Sequence, residues 1–112
     1  MLTIENLRAW GANVDEGLMR CLNNEAFYLR LVNKAIQDIT FDQLKEACEA
    51  ENLDNAFDAA HSLKGMMANL ALTPICRPIE QITELLRSRT ATDYSGLLEE
   101  IISQRNKLIE LL

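Results

Sequence analysis

Apolar residues recur at helical spacing through most of this chain, and very little interrupts them. Phe27, Tyr28, Leu31, Val32, Ala35, Ile36 and Ile39 follow one another three and four residues apart. The pattern resumes at Phe41, Leu44, Ala47 and Cys48. It appears again in Ile75, Ile79, Ile82, Leu85 and Leu86, and in Leu97, Leu98, Ile101, Ile102, Leu108 and Ile109. With only four Gly and two Pro among 112 residues, few positions can stop a helix. The expected fold is all-α: an antiparallel four-helix bundle with short additional helices at the N-terminus, residues 1–112 forming one domain.

Capping residues divide the chain. Thr3 is expected to open a short helix ending near Trp10-Gly11, and Asp15 to cap a second, from Glu16 to about Leu22. Asn24 starts a third. Thr40-Phe41-Asp42-Gln43 matches a capping box, so residues 25–51 are either one long helix or two broken at Thr40; the pattern favours one helix with a kink. Asp54 is expected to cap the next helix, to about Leu70. Thr73-Pro74 begins another, with Pro78 either bending it or marking its real start. The last begins near Thr92-Asp93.

Composition excludes several functions. Lys plus Arg is 11 against 17 Asp plus Glu, a formal charge of −6, which argues against nonspecific nucleic-acid binding. No apolar run approaches the roughly 18 residues of a membrane span, and MLTIENLRAW lacks the basic start and apolar core of a signal peptide. Cys21, Cys48 and Cys76 are an odd number with no paired spacing, as expected of reduced thiols in the cytoplasm. The chain is too short for a nucleotide-binding domain beside the bundle, so any ATP-dependent step belongs to a partner.

The one histidine carries the functional signal. A lone histidine in a helical domain is most often a satisfied core residue. At about 100° per residue, however, Leu63, Ala56, Ala60, Met67 and Leu70 cluster on the side of the helix away from His61. Phe57, Asp58, Lys64, Gly65 and Ala68 lie within about 60° of it. The apolar stripe must face the core, so His61 faces outward. Lys64, one turn on, puts an ammonium where it can bind an anion held on the imidazole. Gly65 costs about 1 kcal/mol in a helix interior relative to Ala, and so needs a reason. Gly65 and Ala68 together leave a low surface beside the ring that another protein can approach.

Ala60-His61-Ser62-Leu63-Lys64-Gly65, followed by Ala68-Asn69-Leu70, resembles the signature of histidine-containing phosphotransfer (HPt) domains. Gly11 to Arg20, and Phe27-Tyr28-Leu29 with Leu31-Val32, are also similar to that family, and the resemblance is strongest over residues 11–86. It implies that His61 carries a phosphoryl group on Nε2, that Lys64 orients the phosphate oxygens, and that Gly65 and Ala68 give clearance to an incoming receiver domain. It also implies that Thr83, 22 residues after the histidine, bonds Nδ1 where Gln is common. Ala71 in place of the usual Gly, Met66-Met67 in place of small polar residues, and Pro78 depart from the family pattern.

Phosphoryl transfer works by positioning and charge neutralisation, commonly with a divalent metal. No carboxylate cluster surrounds His61 in the sequence, so the resemblance places Mg²⁺ and the acceptor aspartate on the receiver, with no cofactor here. The expected role is a monomeric phosphohistidine carrier in two-component phosphorelays, without kinase activity of its own. The alternative is a phosphorylation-independent helical-bundle interaction module, since a fold can outlive its chemistry. A dimerising kinase helix pair would place an acid where Ser62 stands. One His and three scattered Cys do not make a metal site. Met19, Met66 and Met67 read as core fillers, Trp10 as packing at the bundle end, and Arg87 and Arg89 as solvated.

Overall fold

A computed structural model describes all residues, 1–112. It contains seven α-helices: α1 (Ile4–Trp10), α2 (Val14–Arg20), α3 (Glu25–Ile36), α4 (Thr40–Glu49), α5 (Leu53–Asn69), α6 (Thr73–Arg87) and α7 (Ser95–Glu110). The most extensive packing joins helices that are neighbours in sequence, α4 with α5, α5 with α6, and α6 with α7. Helix α7 returns to α3 and α4 and closes the bundle. One apolar core of 26 buried residues runs from Leu2 to Leu108.

The α3–α4 region is two helices, not one kinked helix. Residues 37–39 separate them. The cause is Asp38, whose carboxylate accepts hydrogen bonds from the Thr40 amide (2.9 Å) and hydroxyl (2.5 Å). Such a local side-chain bond offers the backbone an alternative to continuing the helix. Thr40 therefore lies inside α4, and no side chain caps that helix, so the expected capping box is absent. Helix α4 packs along α5, and α3 meets the C-terminal end of that helix. The Tyr28 hydroxyl of α3 donates to Leu70 O just beyond the C-terminus of α5, while the α4–α5 turn lies at the other end.

Asparagine, not aspartate, caps two further helices. Asn13 accepts from the Glu16 amide and Asn52 from the Asn55 amide. Asp15 instead pairs with Arg8 at 3.1 Å, and Asp54 pairs with Arg89. Thr3 and Asn6 form a full capping box on α1, and Asn24 caps α3, as the sequence indicates. Helix α6 runs unbroken from Thr73 to Arg87 with a buried Pro78 inside it, so Pro78 is not its start. Helix α7 begins at Ser95, whose amide donates to Asp93.

The short N-terminal helices cover one end of the bundle, where they and α3 satisfy carbonyls at and just beyond the end of α5. Arg20 donates to Ala68 O at 2.6 Å, Tyr28 to Leu70 O at 2.9 Å, and the Asn13 amide to Ala71 O at 2.9 Å. Ala71 itself has φ +56°, a left-handed turn in which glycine would be unstrained. Two close approaches depend on glycine. A Cβ on Gly17 would fall 2.5 Å from Tyr28 Cε1. Gly11, at φ +121°, would place one 2.9 Å from Pro74 Cγ. Trp10 packs at this end and donates from its indole to Gln104 at 3.1 Å. Met67 is fully buried and Met66 partly so, but Met19 is 65% exposed and is not a core residue.

Candidate functional site

Helix α5 carries His61 on its exposed face, while Ala56, Ala59, Ala60, Leu63 and Met67 occupy its buried side. This is the orientation its apolar stripe requires. Lys64 follows one turn later, half-buried against α6. At Gly65 an added Cβ would meet nothing within 4 Å. Nothing inside the molecule therefore requires a glycine there, and its helix-propensity cost has no internal return. Ala68 continues the same low surface, with its carbonyl taken by Arg20.

Thr83 does not join this group. It is fully buried on α6, and its hydroxyl donates to Ile79 O at 2.6 Å. Its single proton is thus committed to its own helix, and it makes no hydrogen bond to the imidazole. Spacing put Thr83 at the right distance along the chain but on the inward face of α6.

Three residues not assigned to the site from sequence link His61 to Lys64. The Phe57 ring stacks on His61, with centroids 5.7 Å apart and 15° between the planes. The Arg87 guanidinium carbon lies over Phe57, 5.1 Å from the ring centroid. Glu84 reaches both cations: one carboxylate oxygen is 3.8 Å from Lys64 Nζ, the other 3.4 Å from Arg87 Nε. Contacts therefore run from His61 through Phe57, Arg87 and Glu84 to Lys64, one turn from His61 on the same helix. Phe57 was legible as a neighbour four residues before His61, but Glu84 and Arg87 sit on another helix and no local period reveals them.

The arrangement puts an exposed imidazole, a cation one turn away and an open backbone clearing on one face of α5. The Hpt domain family model matches residues 35–112, and the chain belongs to that family of histidine phosphotransfer domains in phosphorelay signalling, whose members interact with receiver domains. The match begins at residue 35, so the resemblance drawn through residues 11–34 lies outside it. No curated protein and no solved structure matches the chain. No helix is long and apolar enough to cross a membrane.

Proposed function

We propose that His61 is the phosphoryl acceptor, taking the group from an aspartyl phosphate of one receiver domain and returning it to an aspartate of another. The single observation that carries this reading is the open space at Gly65 beside an exposed His61. A clearing with no internal cause is accounted for by an incoming backbone. In the transfer, the Nε2 lone pair attacks phosphorus and the bond from phosphorus to the aspartyl oxygen breaks. The imidazole then loses its remaining N–H proton to solvent, and reversal restores the starting state.

Lys64 neutralises the phosphoryl oxygens from the same helix face, and Gly65 and Ala68 keep the approach low. Mg²⁺ and the acidic pocket that holds it come with the receiver, and this chain supplies no cofactor. Such a carrier has no ATP-dependent kinase step of its own and works as a monomer with one open face. Its three unpaired cysteines fit a reducing cytoplasm.

The test is transfer from a phosphorylated receiver domain with Mg²⁺ to the wild-type chain and to His61→Gln. Acid-labile, base-stable label on wild type alone is the expected result. Failure of several receivers to label the wild type would leave a phosphorylation-independent interaction module as the better reading.

A further inference from the structure

We propose that Glu84 sets how readily the carrier gives up its phosphoryl group, by competing with that group for Lys64 and Arg87. This rests on His61 being the phosphoryl acceptor. Glu84 lies between the two cations, 3.8 Å from one and 3.4 Å from the other. Its side chain is 59% exposed, so burial does not demand a charge here, and the pairs are screened by solvent. It therefore contributes little to the fold while occupying the cation that resemblance assigns to the phosphate.

Two consequences follow from elementary electrostatics. Before phosphorylation, Glu84 balances both cations, drawing Lys64 toward α6 and pairing Arg87 within that helix. After phosphorylation, a second anion stands one helical turn from Lys64, and the Glu84 carboxylate is a like charge already paired with that same ammonium. Each form of the carrier shares the same cations, but only the phosphorylated form bears the repulsion. Glu84 thus raises the free energy of phospho-His61 relative to unphosphorylated His61, and favours onward transfer. Arg87 over Phe57 and Phe57 against His61 tie the far side of the network to the ring, so Glu84 acts as a positioning residue through both cations.

The equilibrium ratio of free species separates this from docking. For a carrier and a receiver at concentrations where little complex persists, that ratio depends on the phosphoryl chemistry of each carrier and not on the rate or tightness of their encounter. His61 is first loaded with potassium phosphoramidate, whose N–P bond breaks with release of ammonia as the Nε2–P bond forms. The receiver and Mg²⁺ are then added, and the partition of phosphate is read at equilibrium for wild type, Glu84→Gln, and Glu100→Gln on the exposed face of α7 as a matched loss of charge.

Glu84→Gln is expected to shift the partition toward phospho-His61 by about fivefold, an effect that shrinks as salt is raised. Glu100→Gln is expected to leave it unchanged. An unchanged or opposite shift in Glu84→Gln, or an equal shift in Glu100→Gln, overturns the proposal. Failure of wild-type His61 to take phosphate from phosphoramidate would instead count against the phosphocarrier reading itself. Folding is checked by helical circular dichroism, with Glu84→Ala as a second variant expected to shift the partition the same way.

Discussion

Phe57 lies nearly parallel to His61, 15° between the rings, and holds the imidazole from the preceding turn of the same helix. The Arg87 cation over Phe57 adds a contact from α6 that ties the two helices together beside the His61 ring. A stacked pair of this kind contributes about 1 kcal/mol beyond its buried area.

Replacing Phe57 by Leu keeps an apolar side chain but removes the ring. His61 is then expected to lose the ring-current shift of its carbon-bound protons, read by NMR, and to accept phosphate about two- to tenfold more slowly, the kinetic equivalent of that energy. Phe57→Tyr is expected to restore both. An unchanged His61 spectrum in Phe57→Leu would show that the stack does not orient the ring.

Gly65→Ala is expected to move stability and transfer in opposite directions. The new methyl meets nothing within 4 Å, so helix propensity alone acts and the protein gains about 0.5–1 kcal/mol in urea unfolding. Transfer from a receiver is expected to slow, and further with the longer Gly65→Gln. A variant that is both more stable and fully active would remove the case for Gly65 as a docking clearance.

Gly17→Ala has the reverse logic. Its Cβ would fall 2.5 Å from Cε1 of a ring that is fully buried and anchored through its hydroxyl to Leu70 O. Overpacking is expected to cost about 1–3 kcal/mol. Tyr28→Phe loses the hydrogen bond and is expected to cost about 1–2 kcal/mol. Because the two residues touch, the double variant is expected to be non-additive in a urea-denaturation cycle. Strict additivity would mean that Tyr28 moves aside without strain.

Alkaline stability tests the same tyrosine. Burial, with a smaller contribution from Cys21, pushes the Tyr28 hydroxyl from 10.0 up to about 12. The folded-state value is raised, so the stabilisation is fully present below pH 10.0 and is lost as pH climbs through about 12. Cys76, also pushed up by burial, from 9.0 to about 11, weakens the fold as pH rises through that lower, overlapping window. The stability difference between wild type and Tyr28→Phe, measured by urea midpoints at pH 8 to 12, isolates Tyr28. It is expected to narrow above about pH 10, and a constant difference would contradict the assignment.

The sequence was most informative where one helix decides the outcome. His61, Lys64, Gly65 and Ala68 lie on one face because a single rotation per residue relates them. The apolar stripes likewise marked the core of α5, α6 and α7. Caps were harder to read because Asn13 and Asp15, or Asn52 and Asp54, lie two residues apart and each pair offers suitable oxygen acceptors. Which one caps depends on where the preceding turn ends. The α3–α4 break turns on Asp38 bonding Thr40, a local competition that apolar spacing does not register.

Thr83 fails for a different reason. A count along the chain fixes distance but not which face of α6 a residue occupies, and a threonine inside a helix readily bonds the carbonyl four residues back. Glu84, the next residue, faces the site. Arg87 is solvated, as its sequence context indicates, but its contact with Phe57 crosses from α6 to α5 and no local period marks it. Interhelical partners follow from packing, and packing is a property of two helices at once.

Phe57, His61, Lys64, Glu84 and Arg87 all lie on α5 and α6, joined by the three residues 70–72. Their meeting closes only a short loop, so little chain entropy opposes it. The seam between the chain ends is different: Asn6 to Leu111 and Trp10 to Gln104 join residues about as far apart as the sequence allows. That seam carries the high-contact-order part of the fold and is expected to zip last and fray first. The α5–α6 hairpin is closed by local contacts of its own, and the N-terminal segment reaches it through Asn13, Arg20 and Tyr28, outside that terminal seam.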